Sequence, residues 1–76
     1  MDAALKDIRS IIQEICELEN TDHIGNDTPF PDAGIDSLDV FNILLEFEEK
    51  YGVVIPEEKI EELQSISALI SFLEKR

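Results

Sequence analysis

Ser37 is the side chain in this sequence whose position most suggests chemistry. It stands in the run Gly34-Ile35-Asp36-Ser37-Leu38-Asp39. Asp36, with Asp39 three positions on, reads as an N-cap in a variant of the capping box, which places Ser37 in the first turn of a helix. A hydroxyl there is exposed and lies beside backbone N–H groups that have no intrahelical partner. Those groups and the helix dipole favour a phosphate esterified at the serine oxygen. The sequence offers no base to deprotonate Ser37. It therefore reads as an acceptor modified by another enzyme, not as a self-activating nucleophile. The competing reading is purely structural, with Asp36-Ser37 capping a helix and nothing more.

Other reactive groups are scarce. The chain has one cysteine, Cys16, and one histidine, His23, and their spacing fits no metal site. Cys16 sits four residues after Ile12, near an apolar stripe and with no neighbouring base, so it reads as a small core residue. His23 lies in a loop and reads as solvated. No glycine-rich phosphate loop is present, and the aspartates of 27–39 lack the alternation and central glycine of a calcium loop. Carboxylates abound, but on a highly charged surface they do not acquire the raised pKa of a general acid. An enzyme with its own catalytic groups is therefore not expected.

Charge narrows the partners. Eighteen acids oppose six bases, for a net charge of −12 over 76 residues. Residues 36–62 hold nine acids and two bases, a net of −7, whereas residues 63–76 carry +1. Such a field repels nucleic acid and anionic membranes and attracts basic protein surfaces. A single cysteine excludes an internal disulfide, and no apolar stretch approaches membrane-spanning length. The N-terminus has no basic start followed by an apolar run, so no signal peptide is expected. A cytoplasmic protein is the expectation, or one in an organelle interior if a transit peptide has been removed.

The elements that would position Ser37 follow from periodicity. Leu5, Ile8, Ile12 and Ile15, with Ile11 and Leu18 alongside, predict an amphipathic helix over 3–18. Segment 19–35 is rich in turn formers and reads as a long loop, tethered by Ile24, Phe30 and Ile35. Val40, Leu44, Phe47 and Tyr51 predict the strongest helix, 36–51, closed by Gly52. Val53-Val54-Ile55 reads as an extended connector. Pro56 opens a short helix through Leu63 with Ile60 and Leu63 inward. Ser65 or Ser67 caps a last helix whose apolar face is Ile66, Leu69, Ile70 and Leu73. The expected fold is all-α: a single domain over 1–76, a small four-helix bundle with a long loop between helices 1 and 2 and a short third helix.

Ser37 and its surroundings resemble the modification site of the acyl carrier protein family. The resemblance covers essentially the whole chain. It extends from Gly34–Asp39 to the acids of the following helix (Glu46, Glu48, Glu49), to Tyr51-Gly52, to Ile55-Pro56-Glu57-Glu58 and to the closing apolar helix. It implies that Ser37 receives 4′-phosphopantetheine from coenzyme A through a phosphopantetheinyl transferase using magnesium, with Asp36 helping to position the metal or the transferase. The arm's thiol would then carry acyl groups as thioesters. Helix 37–51 would be the recognition surface for basic patches on acyl-transferring or acyl-modifying enzymes, through Asp36, Asp39, Glu46, Glu48 and Glu49. Steering by exposed charges speeds encounter while each ion pair stays weak, so such a carrier also leaves. A freely diffusing monomer is the default.

Leu38, Phe41 and Leu45, at spacing i, i+3, i+7, lie off the core stripe. Leu45 is expected to widen the buried face. Leu38 and Phe41 either do the same or form an apolar patch for partners or cargo. Three positions depart from the family pattern: Asn42 where an acid is usual, Phe41 where a smaller aliphatic is usual, and Ala33 where leucine is common, with Phe30 able to fill that space. They leave open a role in fatty-acid synthesis or in a specialised pathway, with a polyketide intermediate or an activated amino acid as cargo. A different class also stays open: an acidic interaction module that is never modified.

Overall fold

The computed structural model describes residues 2–75, so Met1 and Arg76, the two ends of the expected 1–76 domain, lie outside the described residues. The order is α1 (Asp2–Ile15), a 3₁₀ segment (Phe30–Ala33), α2 (Ser37–Tyr51), a second 3₁₀ segment (Glu57–Glu62) and α3 (Ile66–Lys75). The described residues contain no strand. Each α-helix turns one apolar stripe inward, and hydrophobic burial of those stripes is what holds them together. The core holds Ile8 and Ile12 of α1, Val40, Ile43, Leu44 and Phe47 of α2, and Ile66 and Leu69 of α3. Phe47 lies at its centre, with ring centroids 5.2 Å from Tyr51 and 6.4 Å from Phe72.

The bundle matches the all-α expectation, with adjustments that have local causes. The short third helix is 3₁₀, not α. Its two turns carry the exposed acids Glu57, Glu58, Glu61 and Glu62 and present only half-buried Ile60 toward the core. Such tight turns are used in short pieces where packing does not reward a longer helix. Helix α1 ends at Ile15, three residues early. The N–H of Leu18 donates to the carbonyl of Gln13 at 3.0 Å, and Glu17 occupies the left-handed region at φ 55°. This is a Schellman ending with a glutamate where glycine is usual. The connector behaves as expected: Ile55 is buried and Val54 is exposed. Ser65 is the residue that caps α3, its hydroxyl accepting the Ala68 N–H at 3.2 Å.

The long loop is built, not slack. Arg9 of α1 reaches into it and donates to the carbonyls of Thr21 and Ile24, each at 2.8 Å, to the Thr21 hydroxyl at 3.0 Å and to Asn26 Oδ1 at 2.7 Å. The Asn26 carbonyl in turn accepts the Ser67 N–H of α3, and Phe30 N–H donates to the Gln64 carbonyl. Ile24, Phe30 and Ile35 are all buried, as tethers should be. Seventeen residues of loop are thus fixed to both terminal helices before the chain reaches Ser37.

Candidate functional site: Ser37 and the groove beside it

Two devices place Ser37 at its position. Gly34, at φ 84°, takes the left-handed conformation that ends the first 3₁₀ segment. Asp36, in extended conformation, then starts α2, and its carboxylate accepts the Asp39 N–H at 3.0 Å. The Asp36 carbonyl accepts the Val40 N–H at 3.0 Å. The N–H groups of Ser37 and Leu38 therefore remain as first-turn donors without an intrahelical acceptor. Ser37 and Asp36 are exposed, and Asp39 is half-buried. A phosphate ester on the Ser37 oxygen fits here: the hydroxyl faces solvent, and the helix end offers it positive potential.

The other reactive side chains are His23 and Cys16. His23 is exposed in the loop. Cys16 is half-buried, and its thiol is pushed up first by burial, then by the charges of Asp39 and Asp36. A thiol so disposed stays protonated and is a poor nucleophile. Among the described residues no grouping of His, Cys, Asp or Glu could hold a metal ion.

Ser37 borders an apolar groove of about 370 Å3 between α2 and the second 3₁₀ segment, lined chiefly by Ile35, Val40, Phe41, Leu44 and Ile60, with Asp36 and Gln64 at its polar margin. Sequence reasoning did not find this groove. It is made by residues from three separate elements, and periodicity reports only which face of each is apolar. The face of α2 beside it carries Leu38, Phe41 and Leu45, which are 68%, 51% and 42% exposed. Leu45 thus does not widen the buried face. It completes one exposed stripe, because Ile43 takes the inward position instead.

The acids assigned to the recognition surface are not one patch. Glu46 and Glu49 are exposed in a polar depression shared with Asp7, Glu14 and Lys50, on the α1 side of the helix. At a rise of 1.5 Å per residue, Glu49 lies roughly 18 Å along α2 from Ser37. Glu48 is half-buried, and its carboxylate accepts the Ile55 N–H at 2.6 Å. That carboxylate is occupied within the chain. Asn42 is exposed and Ala33 half-buried, beside a fully buried Phe30.

Known proteins give this geometry a context. A family model described as "Phosphopantetheine attachment site" matches residues 6–73. An acyl carrier protein of Akkermansia muciniphila is 36% identical over 69 residues, covering 90% of this chain and 85% of that protein. An acyl carrier protein of Helicobacter pylori is 31% identical over 72 residues, covering 95% and 92%. A solved type-II acyl-carrier-protein from Streptomyces verticillus, involved in bleomycin biosynthesis, has the same fold, with a TM-score of 0.76 at 18% identity over 97% of this chain and 86% of that one.

Proposed function

The chain belongs to the acyl carrier protein family, and we propose that Ser37 is where its phosphopantetheine arm is attached. As an acyl carrier it holds its cargo on that arm. The observation that carries the assignment is the pairing of an exposed Ser37 at the start of α2 with an apolar groove that Ser37 itself borders. In the loading step the Ser37 oxygen forms a bond to the phosphorus of coenzyme A that bears pantetheine. The bond from that phosphorus to the nucleotide portion breaks, adenosine 3′,5′-bisphosphate leaves, and the serine proton passes to a base of the transferase. Both the base and the magnesium are assigned to the transferase, since among the described residues no grouping of His, Cys, Asp or Glu could hold the ion. Asp36, exposed beside Ser37, is the residue placed to meet them.

Carrier proteins of this family meet a transferase and then the enzymes that load and consume the acyl group. The side of α2 beside the attachment point combines Leu38 and Phe41 with Asp36 and Asp39, while Glu46 and Glu49 form a separate acidic area further along, on the α1 side. An apolar contact ringed by acids suits a partner with a basic rim and a small apolar centre, and brief contact follows from weak exposed ion pairs. As in other carriers of the family, the chemistry on the cargo is assigned to those partners. Among the described residues no helix is long and apolar enough to cross a membrane.

Intact-mass measurement after incubation with coenzyme A, magnesium and a broad-specificity phosphopantetheinyl transferase tests the assignment. One phosphopantetheine addition is expected on the wild-type chain and none on Ser37→Ala. Addition that persists in Ser37→Ala moves the arm to another residue. No addition to a folded wild-type chain would favour a protein that binds basic partners without ever being modified.

A further inference from the structure

The groove beside Ser37 does not run unbroken along α2. A second chamber, about 200 Å3, lies further along the helix against Leu45, Glu48, Ile55 and Glu57. Three side chains border both chambers: Phe41, Leu44 and Ile60. Leu44 is buried and Ile60 is half-buried against the core, so these two form the floor and the opposite side. Phe41 is 51% exposed, and its ring is what the two chambers share at the surface. Ile55 of the connector lines the far chamber, and the Glu48 carboxylate holds it there through the Ile55 N–H.

We propose that Phe41 sets the length of acyl chain that this carrier shelters against its own surface. The inference rests on Ser37 as the attachment point. A short chain at the end of an arm on Ser37 folds back into the near chamber, where Ile35, Val40 and Leu44 offer apolar contact. Each methylene that leaves water there adds to the stability of the loaded protein. The ring of Phe41 stops a longer chain from continuing toward Leu45 and Ile55, so methylenes beyond that length stay in water and add nothing. A polar or charged cargo gains little, because the lining offers few hydrogen-bond partners and Asp36 stands at the mouth. Removal of the ring joins the chambers into one apolar path. Phe41 is too exposed to be part of the core, so its truncation leaves the fold intact.

The test loads the chain enzymatically with pantetheine bearing butyryl, hexanoyl, octanoyl or dodecanoyl groups. Intact mass confirms each product, and the melting temperature of each is compared with that of the unacylated holo-protein. In the wild type the melting temperature should rise with chain length and then stop rising. In Phe41→Ala it should go on rising to dodecanoyl, while Val54→Ala, altered at an exposed site outside both chambers, should repeat the wild-type profile. Identical profiles for wild type and Phe41→Ala, or no dependence on chain length in the wild type, would overturn the proposal. Failure of the Ser37 assignment appears separately and earlier, as a chain that gains no mass.

Discussion

Glu48 and Ile55 are tied across the turn that ends α2. The Glu48 carboxylate accepts the Ile55 N–H at 2.6 Å, while its backbone carbonyl accepts the N–H groups of Gly52 and Val53. One residue thus fixes both the end of the helix and the connector behind it. Replacing Glu48 with alanine leaves the N–H of buried Ile55 without its acceptor, at a cost of about 1–3 kcal/mol. Glu48→Gln keeps an acceptor oxygen and should lose less. Thermal melts of the two variants, beside Glu46→Ala and Glu49→Ala, separate this role from surface charge. The last two should shift stability by no more than ~0.5 kcal/mol.

Asp36 does two jobs that can be pulled apart. Its carboxylate caps α2 through Asp39 N–H, so Asp36→Ala should cost about 1 kcal/mol. Asp36→Asn retains a capping oxygen and should melt near the wild-type temperature. It lacks the charge offered to the transferase, and its rate of phosphopantetheine addition should fall roughly tenfold, equivalent to about 1.4 kcal/mol. Equal rates for wild type and Asp36→Asn would confine Asp36 to capping.

Arg9 carries the long loop. Arg9→Ala removes four hydrogen bonds from a charged donor and should cost about 2–3 kcal/mol. Lysine cannot reproduce the planar fork, so Arg9→Lys should recover little of that. Hydrogen exchange gives a local readout. The Ser67 N–H, bound to the Asn26 carbonyl, should exchange faster in both variants, ahead of the core amides of α2.

Glu17 is held at φ 55° at the end of α1, a region that disfavours side chains by about 1 kcal/mol. Its negative charge also faces the wrong end of the helix dipole. Glu17→Gly removes both penalties and should raise stability by about 0.5–1 kcal/mol, read as a higher denaturation midpoint with an unchanged denaturant slope.

The Tyr51 hydroxyl donates to Asp7 Oδ2 at 2.9 Å, and burial, then that bond and the Asp7 charge, push its ionisation up from 10.0 to about 12. The folded value is the higher one. The stabilisation is therefore complete below pH 10 and is lost as pH rises toward 12. Tyr51→Phe should show less loss of stability across that alkaline window than the wild type. A parallel decline in both would place the alkaline sensitivity elsewhere.

The helix that bears Ser37 was legible from end to end, because both of its signals are local. Asp36 caps it by a bond three residues long, and Gly52 ends it in the left-handed conformation. The bonds that hold the rest are not local. Arg9 meets its partners 12 to 17 residues away, and Glu48 meets Ile55 only once the chain has turned. An arginine or a glutamate on an amphipathic helix reads as surface charge until the loop it grips is in place. Leu45 is exposed, against expectation, for a related reason. Spacing marks it as apolar beside the core stripe, but Ile43 and Leu44 already fill the inward arc. Phe72 falls outside the apolar face that spacing predicts for the last helix, yet its ring lies 6.4 Å from that of buried Phe47. The groove beside Ser37 was invisible because it belongs to no single element.

The stripe of Leu38, Phe41 and Leu45 has a consequence for the protein in solution at high concentration. Three large apolar side chains in a row on one helix are the sort of surface that pairs two copies of a chain. Here every copy also brings a net charge of −12, so two molecules repel one another before their stripes can meet. A basic partner feels the opposite force and is drawn to the same face. The acids therefore act as a filter on company: they hold off the protein's own kind and admit strangers of the opposite sign, which lets the stripe stay bare without becoming a seam. Salt thins that filter, and at high ionic strength a tendency to self-associate should emerge along this face of α2.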